Sequence, residues 1–260
     1  MTTQEKDLLE AVRKQAEAVQ SSYLDYENNP FEAKHVHDLR INIRRMRALL
    51  NFLKLTIDPA AYQALQTAFR EGARVLNPLR DLDVLLDYCT DFAHKNADLS
   101  DDYPALFNYL GILRRREQRK TFNKTNRQHF NKLLEASKRL LKDEVIDTTK
   151  HWSKYVDKRF VKKQEKLENL VKQVDEMDYE GLHQTRKEAK KLRYAASLLK
   201  GISEPADKET IQYAKELQKE LGGKTDARVL KELLTAISQK APDEAVQALL
   251  DSIQKQLSEA

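Results

Sequence analysis

Glycine and proline are scarce in this chain, which has six of each among 260 residues. Average usage of the two residues together is about 12%, so the chain holds well under half of the usual number. An all-β sandwich needs turn residues about every 8–12 positions, and a Rossmann or P-loop enzyme needs a glycine-rich phosphate loop. Neither can be built from this composition. The shortage therefore predicts an all-α protein.

Cysteine and long apolar runs are also nearly missing. The single cysteine, Cys89, excludes an internal disulfide and a cysteine-based metal knuckle, which agrees with a reducing compartment. No run of about 18 apolar residues occurs, and the N-terminal stretch MTTQEKDLLEAVRKQ has no apolar segment typical of a signal peptide. We therefore expect a soluble, cytoplasmic protein with no membrane association.

An internal repeat is the first positive feature. VHDLRINIRRMRALLNFLK at 36–54 overlays LHQTRKEAKKLRYAASLLK at 182–200. The overlay pairs His37 with His183, Arg40 with Arg186, Arg44 and Arg45 with Lys190 and Lys191, and Arg47 with Arg193. Reuse of a well-packing helix explains matched leucines but not a histidine and several cations at fixed offsets. The repeat predicts two helical bundles, residues 1–143 and 144–260, related by an internal pseudo-twofold duplication.

Both repeat segments are strongly basic. Residues 34–54 hold six Lys/Arg and one acid, and residues 182–200 do the same, so each has a net charge of +5. The whole chain has only +5, and the rest of it therefore sums to −5. On a helical wheel Arg40, Arg44 and Arg47 border the apolar face of the first segment instead of opposing it. That face consists of Val36, Leu39, Ile43, Met46, Leu50 and Leu53. Like charges at these spacings repel by a few tenths of a kcal/mol per pair. An external anion would offset that repulsion, and an acidic helix of the same chain is the alternative.

The dimensions of these basic segments favour a linear ligand. Ten residues of helix rise roughly 15 Å, a length that suits a polyanion better than a single phosphate. A third basic cluster, Arg114, Arg115, Arg116, Arg119 and Lys120, falls in a helix predicted over 103–142. We predict that it lines the same cleft, with a solvated surface turn as the alternative.

The histidines leave two interpretations open. A lone histidine beside a core is more often a packing residue than a ligand, yet His37 and His183 stand at equivalent positions at the start of each basic segment. If they contact phosphate, binding should tighten as the pH falls through the ordinary histidine pKa near 6.5.

Other motifs do not indicate a nucleotide or metal site. The string GGKT at 222–225 lacks the first Walker glycine and a preceding strand, so we predict a turn between helices 205–221 and 225–239. His35 and His37 point apart on a helix and cannot share an ion. We therefore expect the chain to bind no metal and no other cofactor. A metal ion that bridges His37 and His183 is the alternative.

Catalysis is not expected either. Asp81 and Asp83 could hold divalent cations for a phosphoanhydride hydrolase, but the matching pair in the second half is Asp226 and Arg228. Capping a helix or orienting an arginine suits Asp81 and Asp226 better, and no nucleophile–base pair stands out. We therefore expect a binding module and keep the hydrolase as an alternative.

The two motifs HxxRxxxRRxR and HxxRxxxKKxR, followed by LRDLDVLL and LGGKTDARVL respectively, resemble the conserved histidine α-helical domain (CHAD) family over nearly the whole chain. The resemblance implies two four-helix bundles about a pseudo-twofold axis. It also implies binding of inorganic polyphosphate in a basic cleft, in some members on polyphosphate granules. The polyphosphate-binding residues that we predict are His37, Arg40, Arg44, Arg45, Arg47, His183, Arg186, Lys187, Lys190, Lys191, Arg193, Arg114 and Arg115.

An RNA- or DNA-backbone binder is the main alternative, since both ligands predict steep salt dependence. Single-stranded nucleic acids are recognised by aromatic stacking, and Tyr194 is the sole aromatic residue near the cations of the two segments. Binding to the phosphate backbone of a nucleic-acid duplex therefore stays open as an alternative. Two departures from the family pattern are the lysines at 190 and 191 and Arg228 at the position matching Asp83.

Overall fold

The computed structural model describes residues 2–99, 101–142, 145–147, 152–174 and 178–259. This part of the chain forms ten α-helices: α1 Thr3–Asn28, α2 Ala33–Phe52, α3 Pro59–Val75, α4 Asn77–Lys95, α5 Tyr103–Thr121, α6 Lys124–Leu141, α7 Trp152–Val171, α8 Tyr179–Leu199, α9 Lys208–Ser238 and α10 Glu244–Glu259. Over the same residues the one β contact is an isolated antiparallel bridge between Ile57 and Ile146. None of the described helices is long and apolar enough to cross a membrane. The all-α prediction is confirmed.

Side-chain caps explain where several helices begin. Asp58 accepts hydrogen bonds from the backbone N–H groups of Ala60 and Ala61 at 3.0 and 2.9 Å, with Pro59 in the first helical position of α3. Asp207 caps α9 in the same way by accepting from the Thr210 N–H at 2.7 Å. Such caps satisfy backbone donors that have no partner within the helix.

The single helix predicted over 103–142 is wrong. The chain forms α5 and α6 there, separated by Phe122 and Asn123. Asn123 has extended backbone angles and caps α6 by accepting from the Asn126 N–H at 2.8 Å. An asparagine cap competes well with helix continuation, which is why the basic cluster of α5 lies at the end of a helix.

The turn predicted at GGKT is also wrong, since α9 runs unbroken from Lys208 to Ser238. A glycine in a helix costs about 1 kcal/mol relative to alanine. Packing on both sides of the glycines outweighs this cost. Leu217 and Leu221 are buried in one apolar cluster, and Leu230 and Leu234 are buried in another. The side chain of Asp226, the predicted counterpart of Asp81, lies outside the described residues.

Two apolar clusters form the core. The larger joins buried residues of α1, α2, α3 and α6 to those of α7, α8 and the first half of α9. The smaller joins α4 and α5 to the second half of α9 and α10. Each cluster therefore draws on both halves of the sequence. The division into bundles 1–143 and 144–260 stays a prediction, and neither cluster follows it.

The two repeat helices, α2 and α8, lie against each other. The face of α2 predicted to be apolar is fully buried in the larger cluster: Val36, Leu39, Ile43, Met46, Leu50 and Leu53. On α8 the matching residues Ala189, Leu192, Ala196 and Leu199 are buried as well, and Leu182 is half-buried against the same cluster. This packing fixes the rotation of both helices and therefore the direction in which their cations point.

Candidate functional site: basic grooves beside α2 and α8

Arg40 is the most enclosed cation of α2, with 8% of its surface exposed. Its Nη1 donates to Oδ1 of Asn77, at the start of α4, over 2.6 Å. Burial, together with the positive charge of Arg44, lowers the pKa of Arg40 to about 10, while Asp81 acts in the opposite direction. Its hydrogen-bond partner is thus a neutral amide, and the positive charge is only partly offset.

Arg80 of α4 adds a further cation beside this group. Burial, then the charge of Arg80, lowers the pKa of His37, and Arg40 and Arg44 act in the same sense while Asp38 opposes them. The imidazole is therefore more often neutral than an ordinary histidine at the same pH. Arg80 of α4 therefore acts on His37 in the same sense as the arginines of α2 itself.

Arg47 lies further along α2, where α3 supplies its neighbours. Its Nε donates to Oε1 of Gln66 at 3.4 Å, and Gln66 in turn donates to the Arg47 carbonyl at 3.1 Å. Burial, and next the charge of Arg70, lowers the pKa of Arg47, with smaller contributions in the same direction from Arg44 and Arg74. Cations of α2 and α3 are therefore gathered on this side of α2.

A groove of about 550 Å³ runs between α1, α2 and α8. It brings two predicted site residues of α2, His37 and Arg45, together with Arg193 of α8. Asp25 and Asp38 line it as well and match the charges of the two arginines, although Asp38 is also paired with Lys34 at 2.8 Å. We name it the α2–α8 groove.

A second groove of about 630 Å³ lies between α8 and α9. Arg186 and Arg193 line its α8 side, and Lys215 and Lys219 line its α9 side. We name it the α8–α9 groove. Arg193 lines both grooves, and its guanidinium lies 4.8 Å above the ring of Tyr194, a cation–π contact that holds it between them.

Lys191 is turned towards α7. Its Nζ donates to Oε1 of Glu188 at 2.9 Å, and Lys163 of α7 lies 3.5 Å from the other carboxylate oxygen. Glu188 is 7% exposed, and these lysines outweigh its burial and lower its pKa. Lys191 therefore already has a carboxylate partner. Lys187 is exposed, and Lys190 is half-buried.

His183 sits in an aromatic stack at the start of α8. Its ring lies 5.9 Å from that of Tyr179 at an angle of 16°, and the guanidinium of Arg228 covers Tyr179 at 4.1 Å. Burial lowers the pKa of His183, followed by the charge of Lys187. Arg228, which departs from the family pattern at the position matching Asp83, is thus placed against α8.

The basic cluster of α5 is divided by its surroundings. Arg114 is turned inward, and its Nε donates to Oδ1 of Asp83 at 2.6 Å. Arg115 is exposed and lines a surface depression with Arg116, Arg119 and Lys120. Arg114 and Arg115, which the sequence predicted to bind the same ligand, therefore have different neighbours.

The carboxylates do not form a metal centre in the described part of the chain, where no three His, Cys, Asp or Glu side chains converge. Asp83 is bonded to Arg114. Burial raises the pKa of Asp81, and the charges of Arg40, Arg44 and Arg80 act against that rise. Asp81 is thus surrounded by guanidinium groups, in line with an arginine-orienting role.

A family model described as the CHAD domain matches residues 7–235. The chain belongs to the CHAD domain family. The CHAD domain from the plant Ricinus communis superposes with a TM-score of 0.68 at 20% identity, over 98% of this chain and 86% of that one. PptA from Streptomyces chartreusis superposes with a TM-score of 0.72 at 14% identity, over 98% and 93% of the two chains. No curated protein matches this CHAD domain by sequence.

The cations of this CHAD domain that the sequence analysis missed come from neighbouring helices. Arg80 stands in the LRDLDVLL segment and could have been found there, because that segment follows the first basic helix. Lys215 and Lys219 are four residues apart on α9, a spacing that places them on one face. Nothing in the sequence indicated that this face of α9 lies opposite Arg186.

Proposed function

We propose that this CHAD domain binds inorganic polyphosphate, with the phosphate chain lying along the α2–α8 and α8–α9 grooves. The observation that supports this most directly is the position of Arg193, which lines both grooves. A linear polyanion could pass from His37 and Arg45 across Arg193 to Lys215. The polyphosphate-binding role attributed to the CHAD family agrees with this proposal.

The arrangement favours a chain over a single phosphate. Arg186 and Arg193 are seven residues apart on α8, roughly 10 Å of helix rise, and both line the α8–α9 groove. A single phosphate could contact only one of these two arginines. Guanidinium groups can also grip phosphate oxygens with two hydrogen bonds at once, so each arginine can hold one unit of the chain.

Not all of the predicted residues support the proposal equally. Lys191 and Arg114 already have carboxylate partners, Glu188 and Asp83, so we assign them structural roles. His37, Arg45 and Arg193, which line the α2–α8 groove, form the centre of the proposed site. Arg40 and Arg44 line neither groove, so contact between these two arginines and the ligand stays a prediction. Binding without catalysis stays a prediction, as does an association with polyphosphate granules in the cytoplasm.

A comparison of ligands at fixed salt tests the proposal. The purified chain is titrated with long-chain polyphosphate, pyrophosphate, tRNA and duplex DNA. We expect the highest affinity for long-chain polyphosphate and a steep fall with salt, as for other polyanions. Equal affinity for tRNA or duplex DNA would favour the nucleic-acid alternative. Release of orthophosphate with Mg²⁺ present would favour the hydrolase.

A further inference from the structure

A separate cleft of about 650 Å³ lies between α4, α5 and the second half of α9. Its walls are mainly apolar and include Leu82, Tyr109, Ile112, Leu233, Ala236 and Ile237. Small-molecule sites in proteins commonly have volumes of about 300–1,000 Å³ with apolar walls and a few polar groups. The cleft has the size and lining of such a site.

The cleft is held open by fixed contacts. The hydroxyl of Tyr109 donates to the carbonyl oxygens of Ile237 and Lys240 at 3.2 and 2.8 Å, which ties α5 to the end of α9. Leu82 and Ile237 belong to the smaller apolar cluster of the core. The walls are therefore part of the packed structure, and a ligand would enter a preformed space.

Cations lie at one end of the cleft. Arg116 and Lys120 line it, and together with Ile112 they also line the adjoining depression on α5, which adds Arg115 and Arg119. The apolar cleft therefore continues directly into a group of four cations, of which Lys120 is paired with Glu117. Ile112 is 49% exposed at the junction, where an apolar group and a charged group of one ligand would meet.

Two carboxylates line the cleft, and nearby cations offset the charge of each. Glu117 accepts from Nζ of Lys120 at 2.5 Å, so its charge is offset by that lysine. The positive charges of Arg40, Arg44 and Arg80 act on Asp81 and oppose the rise in its pKa that burial causes. Both side chains can accept hydrogen bonds from hydroxyl or amino groups of a ligand.

We propose that this cleft binds a nucleoside triphosphate. The nucleoside occupies the apolar part, with Asp81 and Glu117 accepting from its amino and hydroxyl groups. The phosphates extend past Arg116 and Lys120 towards Arg119. Ile112 and Arg119 are seven residues apart, roughly 10 Å along α5, a distance that a triphosphate group can follow. The site is distinct from the α2–α8 and α8–α9 grooves and does not depend on polyphosphate binding.

An acidic amphipathic helix of another protein fits the same surface less well. Recognition of a helix in a groove uses apolar anchors at i, i+3 or i+4, and i+7, which need a continuous apolar trough of roughly 10 Å. Here the cations begin at Arg116, one turn after Ile112, and Asp81 and Glu117 would face the acidic side chains of such a helix. Charge and size together favour the smaller ligand.

The test is a calorimetric titration of the full chain with ATP and with inorganic tripolyphosphate. Ala236→Trp fills the apolar part of the cleft, and Lys231→Trp adds the same side chain at an exposed position of α9 that does not line it. We expect Ala236→Trp to weaken ATP binding at least tenfold while tripolyphosphate affinity stays unchanged. Lys231→Trp should leave both unchanged. Ile112→Glu, at a half-exposed position, gives a second block of the cleft if the tryptophan variant does not fold.

Charge reversal completes the test. Arg116→Glu should weaken ATP binding at least tenfold, whereas Arg139→Glu on the exposed face of α6 should not. The proposal is overturned if the chain does not bind ATP, or if ATP affinity in Ala236→Trp and Ile112→Glu stays within twofold of the parent. It is also overturned if a synthetic acidic amphipathic peptide, and not ATP, loses affinity in these two variants.

Discussion

Nε of Arg114 donates to Oδ1 of Asp83 over 2.6 Å and joins α5 to α4 in the interior of the protein. Asp83 is 2% exposed, so its carboxylate depends on Arg114 for compensation of its charge. Removing one partner of a buried ion pair leaves the other uncompensated. This pair therefore contributes to the stability of the surface that presents Arg80 and Asp81.

Asp83→Ala should lower the free energy of unfolding by about 3–5 kcal/mol, because Arg114 loses its carboxylate in a buried position. Urea unfolding monitored by circular dichroism measures the change. Asp87→Ala, at an exposed position of the same helix, should change it by no more than about 0.5 kcal/mol. Equal effects of the two substitutions would show that the buried ion pair contributes no more to the free energy of unfolding than an exposed carboxylate does.

Polyphosphate affinity should rise as the pH falls below about 6.5. In the free protein burial and nearby cations lower the pKa of both His37 and His183. A bound polyanion raises these pKa values, so binding takes up protons. Affinity therefore increases as the pH falls through the pKa of the bound state and levels off below the pKa of the free state.

The double variant His37→Gln with His183→Gln tests that dependence. Its affinity should vary little between about pH 7.5 and pH 5.5, whereas that of the parent should increase several-fold over the same range. His94→Gln, at an exposed position near the end of α4, is the matched control and should behave as the parent. A pH dependence that persists in the double variant would assign both histidines to packing alone.

Two glycines should respond to alanine substitution with opposite signs. A Cβ at Gly72 of α3 would overlap the side chain of Leu133 on α6, so Gly72→Ala should destabilise by about 1–3 kcal/mol. At Gly111 the nearest atom is Nη1 of Arg115 at 3.5 Å. Gly111→Ala should therefore stabilise by about 0.5–1 kcal/mol through helix propensity. Urea unfolding of both variants decides this, and a stabilising Gly72→Ala would contradict the close approach of α3 and α6.

The sequence was sufficient for the fold class and for the rotation of α2. Periodicity alone identified Val36, Ile43 and Met46 as one face, and all are fully buried. The sequence did not predict the helix ends correctly. The Asn123 cap and the continuous α9 depend on a balance of about 1 kcal/mol between local preference and packing. The family resemblance is confirmed by the match over residues 7–235.

The neighbours of individual cations were harder to predict. The contact between Lys191 and Glu188 is three residues apart and visible in the sequence, but the contribution of Lys163 is not. Asp83 and Arg114 are 31 residues apart and meet only because α4 packs on α5. The convergence of Arg45 and Arg193 in one groove likewise depends on how α2 lies against α8.

The proposed binding of polyphosphate depends on that convergence. Arg45→Glu with Arg193→Glu reverses two cations of the α2–α8 groove. Lys132→Glu with Arg139→Glu makes the same change in net charge at exposed positions of α6. The most direct measurement is the affinity of both double variants for long-chain polyphosphate at one salt concentration. We predict a loss of about a hundredfold or more in the groove variant and less than about threefold in the α6 variant. Equal losses in the two folded variants, or no loss in either, would contradict a binding site in these grooves.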